Sequence, residues 1–100
     1  MVDVRYSLRA ARDLQDIYDY IALENVAAAD HVIAHLRSRI TKLRQDPIRG
    51  KAHRASQYRV LYPIKYPYRI YFQVLPKHVL ILHIRHTARK QPRLRGFHEE

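Results

Sequence analysis

Apolar positions along the chain follow two different periods. From Leu8 to about Glu24 they fall at Leu8, Ala11, Leu14, Ile17, Tyr18 and Ile21, steps of three and four that make one helical stripe. Arg9, Arg12, Asp13, Asp16 and Asp19 take the other side and read as a solvated face with intrahelical pairs such as Arg12 and Asp16. Ser7 stands where an N-cap belongs, and Asn25 is placed to cap a second helix. That helix runs from about Ala27 to Gln45, with Ala29, Val32, Ile33, Leu36, Ile40 and Leu43 as its stripe. Asp46-Pro47 ends it, because the residue before proline disfavours helical geometry, and Gly50 supplies a turn. So short a link predicts an antiparallel αα-hairpin, and each stripe needs a surface to cover it.

The strand period frames this hairpin. Val2 to Tyr6 alternates and opens the fold as a short strand. Residues 51–57 read as a basic loop. Tyr58 to Tyr62 is a strand, with Pro63 at its end or on an edge. Tyr68 to Val74 puts Ile70, Phe72 and Val74 on one face and Arg69, Tyr71 and Gln73 on the other. Pro76-Lys77-His78 turns the chain into Val79 to His86, which is apolar on both faces early, as a central strand should be, and polar late. The fold class is therefore α+β in the order β-α-α-β-β-β. An antiparallel curved sheet carries the αα-hairpin on one face, and Arg69, Tyr71 and the basic strand ends on the other. Residues 1–92 make one domain. Residues 93–100 are a basic C-terminal tail, and the stretch from Thr87 onward is expected to be loosely ordered.

Charge sharpens this picture. The net charge of the 100 residues is +10, unevenly spread. Residues 1–50 hold 8 basic and 7 acidic side chains, residues 51–100 hold 11 and 2, and no Asp or Glu occurs from Pro47 through His98. Segregated positive charge points to a polyanionic partner: nucleic acid, a nucleoprotein or an acidic protein segment. With no cysteine, disulfides, cysteine metal sites and thiol catalysis are excluded. The N-terminus has no run of signal-peptide length and no stretch is long enough to span a membrane, so a soluble cytoplasmic protein is expected.

Other chemistry is set aside on residue type. His31 and His35 have the i, i+4 spacing of a zinc pair, but lie opposite the apolar stripe with no third ligand evident, so no metal is expected. His83 and His86 are an odd number apart on a strand and point to opposite faces. Gly50 and Gly96 are the only glycines, too few for a glycine-rich phosphate loop. No Ser-His-Asp arrangement stands out. The tyrosines read mostly as strand formers. No cofactor is expected.

Three blocks in order resemble the ParE/RelE toxin superfamily of type II toxin–antitoxin systems. The first is Ala10-x-x-Asp13-Leu14-x-x-Ile17-x-x-Tyr20-Ile21. The second is Ala28-Ala29, Ile33, Leu36, Ile40 and Leu43, closing on Pro47-x-x-Gly50. The third is Tyr68-Arg69-Ile70-x-Phe72, then Val79-x-Ile81-Leu82-x-Ile84-x-His86, Arg89 and Gln91-Pro92. The resemblance covers roughly residues 2–92. It implies a toxin held inactive by a small, often acidic antitoxin that wraps it, giving a hetero-oligomer.

Two activities divide the superfamily. RelE-like members cleave mRNA in the ribosomal A site, whereas ParE-like members inhibit DNA gyrase. RNA cleavage needs a base, cations at the phosphorus centre and an acid. Arg69, His86 and Arg89 are the catalytic candidates for that reading, since Arg69 and His86 align with catalytic positions in some RNA-cleaving relatives. The glutamate base of such relatives has no counterpart here, where Lys51, His53 and Arg54 stand instead. No tyrosine follows Tyr71 to match the late tyrosine of RelE. The ending His86-x-Ala88-Arg89-Lys90-Gln91-Pro92 is closer to ParE members. The reading favoured is a ParE-like gyrase inhibitor, an inhibitory binder rather than an enzyme. The alternatives are a RelE-like ribosome-dependent mRNA endoribonuclease and a non-toxic relative that only binds its partner. Arg69, Arg85, His86, Arg89 and Lys90 are the first candidates for contacting target or antitoxin, followed by Arg59 and Tyr71.

Overall fold

A computed structural model describes residues 2–47, 51–52, 58–63 and 65–87. The elements are β1 (Asp3–Tyr6), α1 (Leu8–Ala22), α2 (Val26–Thr41) with a 3-10 turn at Lys42–Arg44, β2 (Lys51–Ala52), β3 (Tyr58–Leu61), β4 (Tyr68–Val74) and β5 (His78–His86). The class is α+β, as the periodicities predict.

Both predicted caps form. The Ser7 side chain accepts the Ala10 N–H at 3.0 Å, and that of Asn25 accepts the Ala28 N–H at 2.9 Å. Such a cap stabilises its helix by about 1 kcal/mol. Ser7 does more than cap: its hydroxyl donates to the Leu82 carbonyl at 3.0 Å and its N–H to the Ile81 carbonyl at 2.9 Å. The start of α1 is thereby fixed to β5.

The sheet order is β1-β5-β4-β3-β2, and it corrects the expected all-antiparallel sheet. β1 runs parallel to β5, with Asp3 opposite His78 and Tyr6 opposite Ile81, while the remaining pairs are antiparallel. A period-2 pattern shows which face a residue takes but carries no direction. The αα-hairpin brings the chain back to where it began, with the Val2 N–H on the Arg44 carbonyl at 2.9 Å. From there β3 and β5, two hairpin reversals apart, share one direction. Residues 51 and 52, expected in a loop, form β2 against Val60 and Arg59; residues 53–57 lie outside the described residues.

The helices cover one face. Ala10 and Leu14 of α1 and Val32, Leu36 and Ile40 of α2 meet Leu61, Ile70, Phe72, Val79, Ile81 and Ile84 of the sheet, with Leu43 closing the end. The α1 stripe is shifted from the expected one: Ala10 is buried, while Leu8 and Ala11 are exposed. The opposite face, expected to carry Arg69, Tyr71 and the basic strand ends, also holds a core of its own. Val60, Tyr71, Leu80 and Leu82 form a second buried cluster there. The double-sided apolar run of β5 accounts for it, since a strand with a core on each face loses the alternation. A bulge contributes: pairing passes from Tyr71–His83 to Phe72–Ile81, which leaves Leu82 as the extra residue.

Candidate functional site

The pairing of β4 with β5 arranges the candidate residues. Arg69 is opposite Arg85, Ile70 opposite Ile84, Tyr71 opposite His83, and Tyr68 opposite His86. Since successive side chains alternate faces, Arg69, Tyr71 and Arg85 share the face away from the helices, and Tyr68 and His86 share the helix face. The His86 ring meets the Tyr68 ring edge-on, centroids 5.4 Å apart. Of the three residues common to both functional readings, the two that are described, Arg69 and His86, are thus on opposite faces. Arg59 pairs with Phe72, a core residue under the helices, so it too points away from Arg69. Arg89 and Lys90 lie outside the described residues, as do the tail at 93–100 and the domain boundary at residue 92.

Arg69 and Arg85 are cross-strand neighbours of like charge, an arrangement that costs folding energy. Beneath them Tyr71, expected on the exposed surface, is 1% exposed and belongs to the second core. Burial pushes its phenol above the ordinary value. The Arg69 guanidinium, hydrogen-bonded to it, and Arg85 pull the other way, while Tyr62 adds to the rise. Tyr71 therefore lies beside the arginine pair as part of the second core, hydrogen-bonded to Arg69.

A second constellation lies where α1 crosses β5 beyond the end of β1. There the strand edge has lost its neighbour, and Asp13 takes its place. Asp13 Oδ2 accepts the Ile84 N–H at 2.9 Å and contacts His83 Nδ1. Arg9 Nη2 lies 3.5 Å from His83 Nε2. A neutral imidazole with its proton on Nδ1 satisfies both contacts, donating to Asp13 and accepting from Arg9. The solvated-face reading of α1 missed Asp13, and no Arg12–Asp16 bridge forms among the described residues. The signal was present, since Asp13 falls between Ala10 and Ile17 on the apolar spacing.

Beside this network a groove of about 540 Å³ opens between α1 and the β4–β5 ends, lined by Asp13, Asp16, Ile17, Tyr20, Tyr68, Ile84, Arg85 and His86. A neighbouring recess of about 500 Å³ shares Asp13, Asp16, Ile84 and Arg85 with it. His86 thus faces carboxylates of α1 that the sequence placed far away. His31 is exposed, whereas His35, expected in solvent, packs edge-on against Tyr66 at 5.1 Å. Among the described residues no cluster of three metal-ligating side chains occurs, and no helix is long and apolar enough to cross a membrane.

Comparison with known proteins agrees with this architecture. A family model described as the ParE toxin of the type II toxin–antitoxin system parDE matches residues 4–91. A solved chain from the chromosomal ParDE TA system of P. aeruginosa superposes with a TM-score of 0.77 at 26% identity, covering 86% of this chain and 96% of that one. No curated protein matches significantly.

Proposed function

From membership of the ParE toxin family of type II toxin–antitoxin systems, which the match over residues 4–91 establishes for this chain, we propose that the protein inhibits DNA gyrase and is neutralised by an acidic antitoxin on its basic sheet half. The observation that carries the choice is the division of Arg69 from His86. A nuclease needs its cation and its proton-transfer group at one phosphate. Among the described residues the register sends two of the three catalytic candidates to opposite faces, Arg69 to Arg85 and His86 to Tyr68. Arg69 and Arg85 are cross-strand neighbours in a run of sequence that has no Asp or Glu from Pro47 through His98, and Arg85 also reaches the recesses that Asp13 and Asp16 line. Paired arginines suit carboxylates through charge-assisted, bidentate hydrogen bonds, which supports docking of an acidic antitoxin segment at this place. Gyrase as the target follows the family.

The test is direct. Purified protein added to gyrase should halt supercoiling, while a reporter mRNA in a translation extract stays intact. Cleaved mRNA with unaffected supercoiling reverses the assignment.

A further inference from the structure

The turn joining α1 to α2 carries the most exposed large apolar side chains among the described residues. Leu23 is 83% exposed, Tyr20 79% and Val26 56%. All three fall within the seven residues from Tyr20 to Val26, and the core uses none of them. A grouped apolar patch with a polar rim marks a contact surface, whereas scattered exposed residues do not. The rim here is acidic: Asp16, Asp19, Glu24 and Asp30 are exposed, and no Lys or Arg occurs from Asp13 through Leu36. Two of these carboxylates work against the fold. Asp19 lies in the last turn of α1 and Glu24 just after it, and that turn has no basic residue. A helix C-terminus favours cations, so the dipole does not account for acids there, although Asp19 also accepts a hydrogen bond from Gln15 Nε2 at 2.9 Å. Tyr20 is also the rim of the groove of about 540 Å³ that Tyr68 and His86 line, so the patch continues into a recess.

We propose that this hairpin tip is a second docking surface, and that its occupant is a cationic surface with apolar side chains at its centre on the enzyme the toxin inhibits. The inference rests on the gyrase reading and names the toxin's side of that contact. Charge complementarity selects the occupant. An enzyme that handles DNA maintains cationic surfaces to hold phosphates, and the tip offers such a surface carboxylates around an apolar centre. An acidic antitoxin segment meets like charge at the tip and opposite charge at Arg69 and Arg85, so charge directs it to the sheet. The chain thereby sorts two partners by sign.

Two double variants test this, Tyr20→Ser with Leu23→Ser and Asp19→Lys with Glu24→Lys. Binding to immobilised gyrase and to poly-L-glutamate as an acidic probe is measured by surface plasmon resonance. Circular dichroism checks folding, and sedimentation checks oligomeric state. Lysine at the end of α1 favours the helix, so the charge-reversed pair separates lost binding from lost folding. Both doubles are expected to weaken gyrase binding about tenfold or more, as truncation of a contact centre does, with poly-L-glutamate binding no weaker than the parent's. Parent-like gyrase binding by both doubles overturns the tip and leaves the gyrase reading intact. A parent that does not bind gyrase overturns both. A parent dimer that the doubles dissolve assigns the tip to a second copy of the chain and overturns the proposal.

Discussion

The carboxylate of Asp13 on α1 accepts the backbone N–H of Ile84 on β5 at 2.9 Å. This bond occupies the strand edge that β1 leaves open after Tyr6, and the same oxygen holds His83. Removing the carboxylate takes this acceptor from the Ile84 N–H and one contact from the buried His83 imidazole. Asp13→Ala is therefore expected to cost about 1–3 kcal/mol, the usual penalty for orphaning buried polar groups. Asp13→Asn retains an acceptor and should cost less. Urea unfolding measures both, and equal midpoints for parent and Asp13→Ala would remove Asp13 from the account of how α1 is fixed.

How far the sequence disclosed this arrangement varies by element. The two caps, both helices and the alternation of β4 were legible, because each depends on neighbours within a few residues. The parallel seating of β1 on β5 was not, since direction depends on the path through the whole hairpin. Asp13 was misplaced because three aspartates near one another look like a solvated face, and only the position of β5 shows which of them is needed inside. The face shared by Arg69 and Tyr71 was read correctly, but the burial of Tyr71 depends on Leu80 and Leu82, whose double-sided run does not say what each face meets. The hairpin tip was not legible, because Tyr20 and Leu23 fall close to the apolar spacing of α1 and only the packing shows that the core leaves them exposed.

His35 sets an expectation for pH. Burial pushes its imidazole below the ordinary value, and Arg39, Lys65 and Lys42 push the same way. In the unfolded chain the group takes up its proton near pH ~6.5; in the folded chain it does so at lower pH. Its contribution to stability is complete above that unfolded value and is lost as pH falls toward the folded one. His35→Gln removes the dependence. The urea midpoint of the parent should therefore drop more steeply than that of the variant between about pH 7 and about pH 5. Parallel curves would show that His35 is not the group responsible.

The arginine pair should show function opposing stability. Like charges directly across a sheet destabilise it, and cross-strand pair terms run to roughly 0.2–1 kcal/mol. Arg85→Gln is expected to leave the melting temperature unchanged or raise it slightly, while weakening poly-L-glutamate binding about tenfold at low salt. A variant that unfolds more readily and still binds the polyanion as well as its parent would give Arg85 a structural role and take the anion site away from it.

Arg69 and His86 offer a separate check on the proposed inhibitor reading, through additivity. They occupy opposite faces, Arg69 beside Arg85 and His86 against Tyr68. Residues with no shared partner usually contribute independently, within about 0.3–0.5 kcal/mol. Residues that act as one catalytic unit do not, because losing either removes nearly the whole effect. Arg69→Ala, His86→Ala and the double variant are compared by the concentration that halves gyrase supercoiling. The expectation is that the logarithms of the two single effects sum to that of the double. His86→Ala by itself should do little to inhibition, and should cost stability on the order of 0.5–1.5 kcal/mol for the lost ring contact with Tyr68. A double variant no weaker than either single would mean the two side chains meet at one reacting group, and the inhibitor reading would have to yield to an enzyme.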